Sequence, residues 1–381
     1  MRIGLNITYW VPNAMGGSQT YQRQLIAALA AAGGEAEYTV FLNASGAKSF
    51  TRPSARFRTR VCRLPGSQRL LRVLWEQAIL PMRLRTQGID VLHSLGYLSP
   101  IAAPGATVTT VLDMVQYVHP EDIEPAKRLL WRILFPLSLR RATAIIVISE
   151  SVKRELARFF PWAAAKATVV PLAVDPVRFS PGPAGPCAAA RGRPFLLAVS
   201  TISPHKNPVR LVEAFARVRR ERPGLDLELV LAGLMRQEQG ALLRRTARSL
   251  GVSEHVIFAG RVPDGELIQL YRSAEMLVFP SLYEGFGLPV LEAMSCGCPV
   301  VSSNLTSLPE VTGDAALLFN PKDVAEMAGR IAEVLDSRST RERLIARGLE
   351  RARLFSWQSI AERTMAVYRQ CLGRPAGEDA C

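Results

Sequence analysis

The chain has 381 residues, of which 48% are hydrophobic and 21% are charged, so it is long enough for two domains and too apolar to be mainly disordered. Its net charge of +14 comes mostly from residues 1–190, which hold 22 Lys and Arg but 11 Asp and Glu, and nine arginines fall between residues 52 and 85. This basic segment suits an anionic membrane surface, a phosphorylated substrate or a plain solvated face, while the lack of helix-turn-helix, zinc-finger or RNA-binding motifs argues against nucleic acid.

The first half of the chain alternates short β-rich runs with helical patterns. It begins with a predicted strand at residues 2–8 instead of a signal peptide, and no apolar run reaches membrane-spanning length, so we expect a cytoplasmic protein. Further strands are predicted at residues 38–42, 90–93, 107–112, 143–148 and 168–171, and helices at 18–32, 68–80, 125–140 and 151–160. This alternation is typical of parallel strands covered by helices.

A linker separates this half from the next. Residues 180–187 hold three prolines and two glycines, a composition that no helix or strand interior tolerates. The alternation then resumes, with predicted strands at residues 195–200, 227–232, 256–258, 276–279, 299–302 and 315–319 and three helices from residue 323 onward. The fold class is therefore α/β, with two doubly wound Rossmann-like domains that face each other across a cleft. We place the N-terminal domain at 1–180, the linker at 181–193, the C-terminal domain at 194–355 and a last helix at 356–381.

The six cysteines are scattered along the chain. Cys296 and Cys298 form the only close pair, and no neighbouring Cys or His completes a zinc site. We therefore predict no metal site and a reduced, cytoplasmic protein.

A nicotinamide-dependent enzyme is the main alternative for such a fold. Its phosphate-binding fingerprint is G-x-G-x-x-G after a strand. That pattern is not met, because Gly285 and Gly287 are followed by Leu, Pro and Val. The sequence therefore argues against a dehydrogenase.

The most informative stretch is FPSLYEGFGLPVLEAM at residues 279–294, which begins as a strand, passes through a glycine-rich turn and opens a helix near Leu288. The backbone N–H groups of such a turn, beside the positive end of a helix, suit a diphosphate. Glu284 lies in the turn and Glu292 about one helical turn further in. Carboxylates at these places suit hydrogen bonds from sugar hydroxyls.

This stretch resembles the E-x7-E signature of the retaining glycosyltransferases of family 4 (group 1), which have the GT-B fold. The resemblance implies that Glu284 contacts the donor sugar and that Glu292 binds the ribose. It also places in the donor site the residues of the turn, Gly285, Phe286, Gly287 and Leu288. The likeness covers nearly the whole chain and includes a final helix that crosses back to the N-terminal domain.

The segment STISPHKNP at residues 200–208 follows the first strand of the C-terminal domain and resembles a strand-end loop of the family. The resemblance makes Lys206 the cation that neutralises the leaving diphosphate, with Ser200 and Thr201 beside the donor. Many relatives carry an arginine where this chain has Thr201, and His205 is a weak substitute for that arginine.

Two further matches are less specific. The segment GRVPDGELIQLY at residues 260–271 resembles the loop and helix that frame the nucleotide base and makes Val262 a donor-site residue, although a plain strand–loop–helix reads the same. In MGGS at residues 15–18, Gly16 and Gly17 resemble a glycine pair placed against the donor phosphate, since glycine allows close backbone approach. A plain tight turn is the alternative there.

The N-terminal domain departs from the family pattern at one point. Relatives commonly show His-Asp where this chain has Leu112 and Asp113, so leucine replaces a hydrogen-bonding group near the transferring sugar. Asp113 is still the candidate that orients the acceptor hydroxyl. His119, seven residues further on, cannot be assumed to take the place of the family's histidine.

An apolar helix face is predicted from the spacing of Leu71, Leu74, Trp75 and Ala78. We expect this face to pack in a core or between domains. Insertion into a membrane is the alternative.

The resemblance implies a metal-independent, retaining hexosyltransferase with the catalytic residues Glu284, Lys206 and Asp113. It needs no cofactor and uses a nucleotide-diphosphate sugar as co-substrate, with GDP-mannose favoured over a UDP-sugar. The expected acceptor is a saccharide or a polyprenyl-diphosphate-linked saccharide in surface-polysaccharide assembly, at the cytoplasmic face of the inner membrane, with an anionic membrane as a peripheral contact. The alternative, motivated by Leu112, is a catalytically silent nucleotide-sugar-binding subunit of the same fold.

Overall fold

The computed structural model describes residues 1–10, 17–64, 68–122, 125–185, 187 and 189–373. Two compact units divide the chain. One consists of Met1–Leu172 together with Trp357–Cys381, and the other of Ala173–Ser356. The second unit is therefore continuous in sequence, whereas the first is assembled from two separate segments.

The first unit is an α/β layer structure. In chain order it contains β1 (Arg2–Asn6), α1 (Gly17–Ala31), β2 (Glu37–Asn43), α2 (Ala44–Ser49), β3 (Phe57–Cys62), α3 (Arg69–Gln87), β4 (Val91–Ser94), β5 (Ala106–Val111), α4 (Val115–Val118), α5 (Pro125–Arg141), β6 (Ala144–Val147), α6 (Glu150–Phe159), α7 (Pro161–Ala164) and β7 (Ala167–Val169). Its seven strands form one sheet in the order β3-β2-β1-β4-β5-β6-β7, and every pairing is parallel.

The second unit repeats this plan. It contains β8 (Phe195–Val199), α8 (Pro208–Glu221), β9 (Glu228–Ala232), α9 (Gln237–Ser249), β10 (Val256–Gly260), α10 (Asp264–Ser273), β11 (Met276–Phe279), α11 (Leu288–Ser295), β12 (Val300–Ser303), α12 (Leu308–Thr312), β13 (Leu317–Phe319), α13 (Val324–Asp336) and α14 (Arg338–Arg353). Its six parallel strands are ordered β10-β9-β8-β11-β12-β13. The last helix, α15 (Trp357–Cys371), belongs to the first unit. Two doubly wound Rossmann-like sheets are thereby confirmed.

One strand was not predicted. β3 has the sequence FRTRVC, and its arginines interrupt the apolar pattern that marks the other strands. It lies at the edge of the first sheet and pairs only with β2. Charged residues are common on edge strands because they discourage pairing with another chain, so this strand has the composition of an edge.

The helix α3 corrects two predictions. It continues through Pro81 to Gln87, beyond the predicted end at residue 80. Its buried face carries Val73, Leu80 and Leu84, whereas Leu71 and Leu74, which were expected to pack in a core or between domains, are about half exposed. In the described part of the chain, no helix combines the length and the apolar character needed to cross a bilayer.

A helix pair covers one face of the second sheet. α8 buries Leu211, Phe215 and Val218 at helical spacing, and α13 contributes Met327 and further apolar residues to the same cluster. These side chains pack on the apolar residues of the strands below. This packing of helices on the sheet fixes the position at which each strand ends. The loops that carry the predicted site residues begin at these strand ends.

The first unit is completed by α15. Its Tyr368 is fully buried, and the hydroxyl lies 2.6 Å from Nδ1 of His93 on β4, whose Nε2 lies 2.7 Å from Oγ1 of Thr110. Burial lowers the pKa of His93 to about 3, so the ring is neutral at physiological pH. A neutral imidazole therefore joins the final helix to the centre of the sheet.

Candidate functional site

The strand order of the second sheet reverses between β8 and β11. The chain leaves these neighbouring strands in opposite directions, so their outgoing loops separate and open a crevice at the carboxyl ends. Residues of this crevice include Ser200 and Lys206 after β8, Ala232 at the end of β9, and Ser281 after β11. Ligands of doubly wound sheets bind at such a point, and the two most informative sequence segments meet there.

Lys206 and Glu284 form an ion pair in this crevice. Nζ of Lys206 lies 2.7 Å from Oε1 of Glu284, although 78 residues separate them in sequence. The side chains keep 18% and 11% of their surface exposed. Ser281 Oγ donates a second hydrogen bond, of 2.7 Å, to the same carboxylate oxygen. The carboxylate is thus held by a cation and a hydroxyl and stays accessible to a ligand.

The backbone around Glu284 is tied to the loop that follows β12. Its N–H donates to Oγ1 of Thr306 at 3.1 Å. The hydroxyl of Ser307 donates to the carbonyls of Glu284 and Phe286, at 3.1 and 2.8 Å. These bonds fix the turn without using the Glu284 side chain.

The turn ends at Gly287, which caps α11. Its φ of +107° lies in the region that favours glycine, and a Cβ at this position would meet Leu308 Cδ2 at 2.7 Å. The helix then begins at Leu288, as predicted, and has Pro289 in its first turn. Its N-terminus, with the partial positive charge of the helix dipole, therefore lies directly after the glycine-rich turn.

Lys206 is positioned by its neighbour Asn207. This buried asparagine adopts φ 59° and ψ 39°, a left-handed conformation between a short 3-10 turn and α8. Its Nδ2 donates to the carbonyls of Pro280 and Pro321, at 3.2 and 2.6 Å. Its Oδ1 accepts from Arg210 at 3.1 Å. One side chain thereby joins the loop that carries Lys206 to the loops that follow β11 and β13.

Glu292 lies on α11 in a different environment from Glu284. The hydroxyl of Tyr271 donates to its Oε2 at 2.8 Å. Burial raises the pKa of the carboxyl group to about 7, a rise that the Tyr271 hydrogen bond and the charge of Arg178 oppose and that of Asp264 supports. Arg178 is itself paired with Asp264. Glu292 is thus a carboxyl group close to its titration point near neutral pH.

The remaining predicted residues of the second unit lie at strand ends. Ser200 donates its N–H to the carbonyl of Ala232 at 3.0 Å, and a Cβ on Gly233 would lie 1.9 Å from the Ser200 carbonyl oxygen. Thr201 follows directly and is exposed, and Val262 lies in the loop between β10 and α10. The structure therefore gathers Ser200, Lys206 and Glu284 around the crevice, with Thr201 and Val262 on loops at the same edge of the sheet.

His205 contacts its own loop and the loop that follows β11. Its ring nitrogens lie 3.3 and 3.2 Å from Oγ of Ser203. Its backbone carbonyl accepts from Leu282 N–H at 2.7 Å and so links the two loops of the crevice. These contacts of His205 help to hold the two loops of the crevice together.

Three predicted residues belong to the first unit. Gly16 lies outside the described residues, and Gly17 is the first residue of α1. Asp113 follows β5; its Oδ2 accepts from the Tyr97 hydroxyl at 2.5 Å and its Oδ1 from the N–H of Val115 at 3.1 Å. Leu112, beside it, is buried. These bonds fix the orientation of the Asp113 carboxylate within its own unit.

Sequence reasoning assigned no role to Ser281, Thr306, Asn207 or Tyr271. Two of them had a local signal. Ser281 precedes Glu284 by three residues in a turn, and Asn207 lies directly before the Pro208 that opens α8. Thr306 and Tyr271 reach the site from other elements, so only the packing of those elements reveals them.

Comparison with known families supports the same interpretation of both halves. The profile of "Glycosyl transferases group 1" matches residues 188–351. The profile of "Glycosyltransferase Family 4" matches residues 15–178. The two matches do not overlap and together cover most of the chain.

Curated relatives include bacterial mannosyltransferases. The chain is 38% identical over 240 residues to the O-antigen chain mannosyltransferase B of Escherichia coli, which covers 61% of this chain and 62% of that protein. It is 36% identical over 242 residues to the MMP alpha-(1->4)-mannosyltransferase of Mycolicibacterium hassiacum, covering 62% of this chain and 56% of the relative. The matched region therefore spans less than two thirds of either relative.

Solved structures share the fold over nearly the full length. Sucrose-phosphate synthase from Thermosynechococcus elongatus superposes with a TM-score of 0.77 at 23% identity, covering 98% of this chain and 99% of that one. WaaG, a glycosyltransferase involved in lipopolysaccharide biosynthesis, gives a TM-score of 0.71 at 15% identity, with coverages of 96% and 99%. At these identities the likeness concerns the fold, and the family rests on the sequence matches. By these matches the chain belongs to the group 1 glycosyltransferases of family 4, and its two Rossmann-like domains have the GT-B fold.

Proposed function

We propose that this protein is a retaining glycosyltransferase. It moves a hexose, with mannose favoured, from a nucleotide-diphosphate sugar to a saccharide or polyprenyl-diphosphate-linked saccharide in surface-polysaccharide assembly. The observation that carries the proposal is the ion pair between Lys206 and Glu284, which lies at the strand-order reversal of a Rossmann-like sheet. The relatives named as mannosyltransferases support mannose, hence GDP-mannose before a UDP-sugar, as the donor.

The ion pair suits both parts of such a donor. An ammonium has three N–H donors, so Lys206 can hold Glu284 and a phosphate oxygen at once. Glu284 then keeps acceptor capacity for the sugar hydroxyls, and Glu292, further along α11, would accept from the ribose. The donor would thus be held at its sugar, its diphosphate and its ribose.

The proposed reaction retains the configuration at the anomeric carbon and uses no metal ion. The bond between the anomeric carbon and the diphosphate oxygen breaks, and the acceptor oxygen forms its bond on the same face of the sugar. The acceptor hydroxyl gives its proton to the departing phosphate oxygen, so a nucleoside diphosphate leaves. Lys206 and the N-terminus of α11 stabilise the charge that grows on that oxygen, and Asp113 is proposed to orient the acceptor hydroxyl.

The substitution Lys206→Ala tests the proposal. We expect turnover to fall by about one to two orders of magnitude, because a charged hydrogen bond of about 1.5–3 kcal/mol to the leaving group is lost. Initial rates of sugar transfer, or of slow donor hydrolysis, measure the effect. Lys322→Ala, which removes an exposed lysine beside α13, is the matched control and should leave the rate unchanged. A Lys206→Ala enzyme of near-normal activity would contradict the proposal.

A catalytically silent subunit is the second candidate. It is favoured by one observation, the buried Leu112 directly before Asp113, where the family commonly has a histidine. GDP-mannose and UDP-glucose should be tested both for a rise in melting temperature, which reports binding to the folded state, and for hydrolysis or transfer. Binding without any turnover of the bound donor would favour the silent subunit over the enzyme.

The proposed acceptor sets the location. A polyprenyl-linked saccharide is held in a membrane, so we propose that the protein works at the cytoplasmic face of the inner membrane. It would contact the anionic lipid surface from outside the bilayer. The excess of basic residues in the first half of the chain supports this contact.

A further inference from the structure

One helix of the first unit exposes an apolar stripe. Leu71, Leu74, Ala78 and Met82 follow one another on α3 at steps of three and four residues, so they share one side of the helix. Leu74 keeps 56% of its surface exposed and Met82 61%. The opposite side of the same helix carries the buried residues. The exposed stripe therefore adds nothing to the packing of the core beneath α3.

A second helix repeats this arrangement. On α5, Leu129 and Ile133 lie four residues apart and are 62% and 52% exposed. Arg132 and Arg140 are exposed on the same helix. An exposed isoleucine or leucine alone is ordinary, but two helices that each combine an apolar stripe with arginines form a pattern.

The two helices hold the same loop. On α3, the side chain of Gln77 accepts from the N–H of Ile101 at 3.0 Å and donates to the carbonyl of Ser99 at 3.4 Å. On α5, Ser138 exchanges hydrogen bonds with the backbone N–H and carbonyl of Ser99, at 2.8 and 2.7 Å. A single short segment between β4 and β5 thus joins α3 to α5.

The charges of these helices have one sign. Their sequences contain a single acid, Glu76, and it lies on the buried side of α3. There it accepts from the Thr8 hydroxyl and lies 3.7 Å from Nε of Arg72. The exposed charges on α3 are arginines, including Arg83 and Arg85. The two exposed faces therefore combine apolar side chains with cations.

We propose that the exposed faces of α3 and α5 form one docking surface for an anionic phospholipid membrane. Leucine, isoleucine and methionine side chains enter the boundary between headgroups and acyl chains while arginines bind lipid phosphates. A second copy of the chain fits less well, since a two-fold interface would place arginines against arginines. The inference rests on the proposed membrane contact and names the surface that makes it.

Sedimentation with lipid vesicles tests the surface. The full chain should bind vesicles of phosphatidylglycerol and phosphatidylcholine, and should not bind phosphatidylcholine alone. Leu74→Gln combined with Leu129→Gln should weaken this binding at least about tenfold, because two apolar side chains are withdrawn from the lipid. Leu242→Gln, at an exposed leucine of α9 in the other unit, should bind as the unsubstituted chain does.

A second pair of variants tests the charges. Arg85→Gln with Arg132→Gln should weaken binding and reduce its dependence on salt. Arg245→Gln, at an exposed arginine of α9, is the control and should have no effect.

Three outcomes would overturn the inference. If the leucine variants bind vesicles fully, another surface makes the membrane contact. If the unsubstituted chain binds no anionic vesicle, the membrane contact itself fails. If the leucine substitutions instead dissociate a dimer in analytical ultracentrifugation, the surface is a protein interface. Transfer to a water-soluble acceptor, measured in parallel without vesicles, reports separately on the proposed enzyme activity and should be unchanged in these variants.

Discussion

Only eight positions separate the two glutamates of the candidate site, but their electrostatic environments are opposite. Glu284 has a cation and a hydroxyl on one carboxylate oxygen, and its backbone is fixed from a neighbouring loop. Glu292 has a neutral phenol as its hydrogen-bond donor, and burial raises the pKa of its carboxyl group. Lys206 thus holds the Glu284 carboxylate by a charged hydrogen bond, whereas Glu292 changes charge near neutral pH.

The stability of the protein should reflect the titration of Glu292. Its pKa rises from the ordinary 4.5 to about 7 on folding, so the folded state binds this proton more tightly than the unfolded state does. The contribution to stability is complete below about pH 4.5 and is lost as the pH rises through about 7. As the pH rises from about 4.5 to about 7, the free energy of unfolding should fall less in the Glu292→Gln variant than in the unsubstituted chain. Urea unfolding at a series of pH values measures this difference.

The control for this experiment is Glu350→Gln, which neutralises an exposed glutamate on α14. Its pH dependence should follow that of the unsubstituted chain. Equal pH dependence in the Glu292→Gln variant would show that Glu292 does not take up a proton on folding.

At the scale of one element, the turn between β8 and α8 depends on a single left-handed residue. Asn207 has a positive φ of 59°, and asparagine and glycine accept that conformation far better than residues with an ordinary Cβ. Two of its side-chain hydrogen bonds then tie the turn to two other loops, and a third comes from Arg210 on α8. The position of Lys206 follows from this turn.

At Asn207, the glycine variant should be more stable than the alanine variant, which is the reverse of the usual order within a helix. Both Asn207→Ala and Asn207→Gly lose the side-chain hydrogen bonds, but alanine also bears the cost of the left-handed conformation, about 1–2 kcal/mol. Asn207→Ala should therefore have the lower free energy of unfolding in urea. At Arg343, an exposed position within α14, alanine should instead be the more stable by about 1 kcal/mol. The same order at both positions would refute this account of the turn.

Elements with one consistent pattern were predicted well, and mixed ones were not. β11 was placed at its observed bounds because MLVF is apolar throughout and fully buried. β3 was missed because an edge strand tolerates arginines. On α3, Leu71 and Leu74 were expected to pack in a core or between domains but are about half exposed, because their three-residue spacing is as helical as the four-residue spacing of the buried Leu80 and Leu84. Periodicity alone cannot tell a core stripe from an exposed one when both are apolar.

How much of the candidate site could be predicted from the sequence was limited by contacts between separate elements. The turn from Glu284 to Leu288 could be predicted because strand, glycines and proline are consecutive. The approach of Lys206 to Glu284 followed from topology, since both come after neighbouring parallel strands. The Tyr271 hydrogen bond to Glu292 could not be predicted, because it depends on how α10 packs beside α11.

At the scale of the whole molecule, the first unit depends on a helix that arrives last. α15 packs against α1 and inserts Tyr368 beside His93. The tyrosine fills space in the core and also satisfies a nitrogen of a buried, neutral ring. Both parts of its role can be separated by substitution.

Tyr368→Ala should destabilise the first unit by about 3–5 kcal/mol through the cavity that it leaves. Tyr368→Phe should cost about 1–3 kcal/mol, because it keeps the ring but leaves Nδ1 of His93 without its partner. Hydrogen exchange read by mass spectrometry should show lost protection in peptides of residues 1–172, with residues 173–356 unchanged. Equal loss in both units would show that they do not unfold separately.

The discontinuity of the first unit has a consequence for biosynthesis. The second unit, Ala173–Ser356, is synthesised as one continuous segment. All of its residues have therefore been made before α15 is translated. The first unit cannot complete its fold until then, because Tyr368 and the rest of α15 are synthesised after the second unit. The first sheet of the nascent chain therefore lacks α15 while almost half of the polypeptide is still being synthesised. We expect chaperones to bind the first unit during this interval.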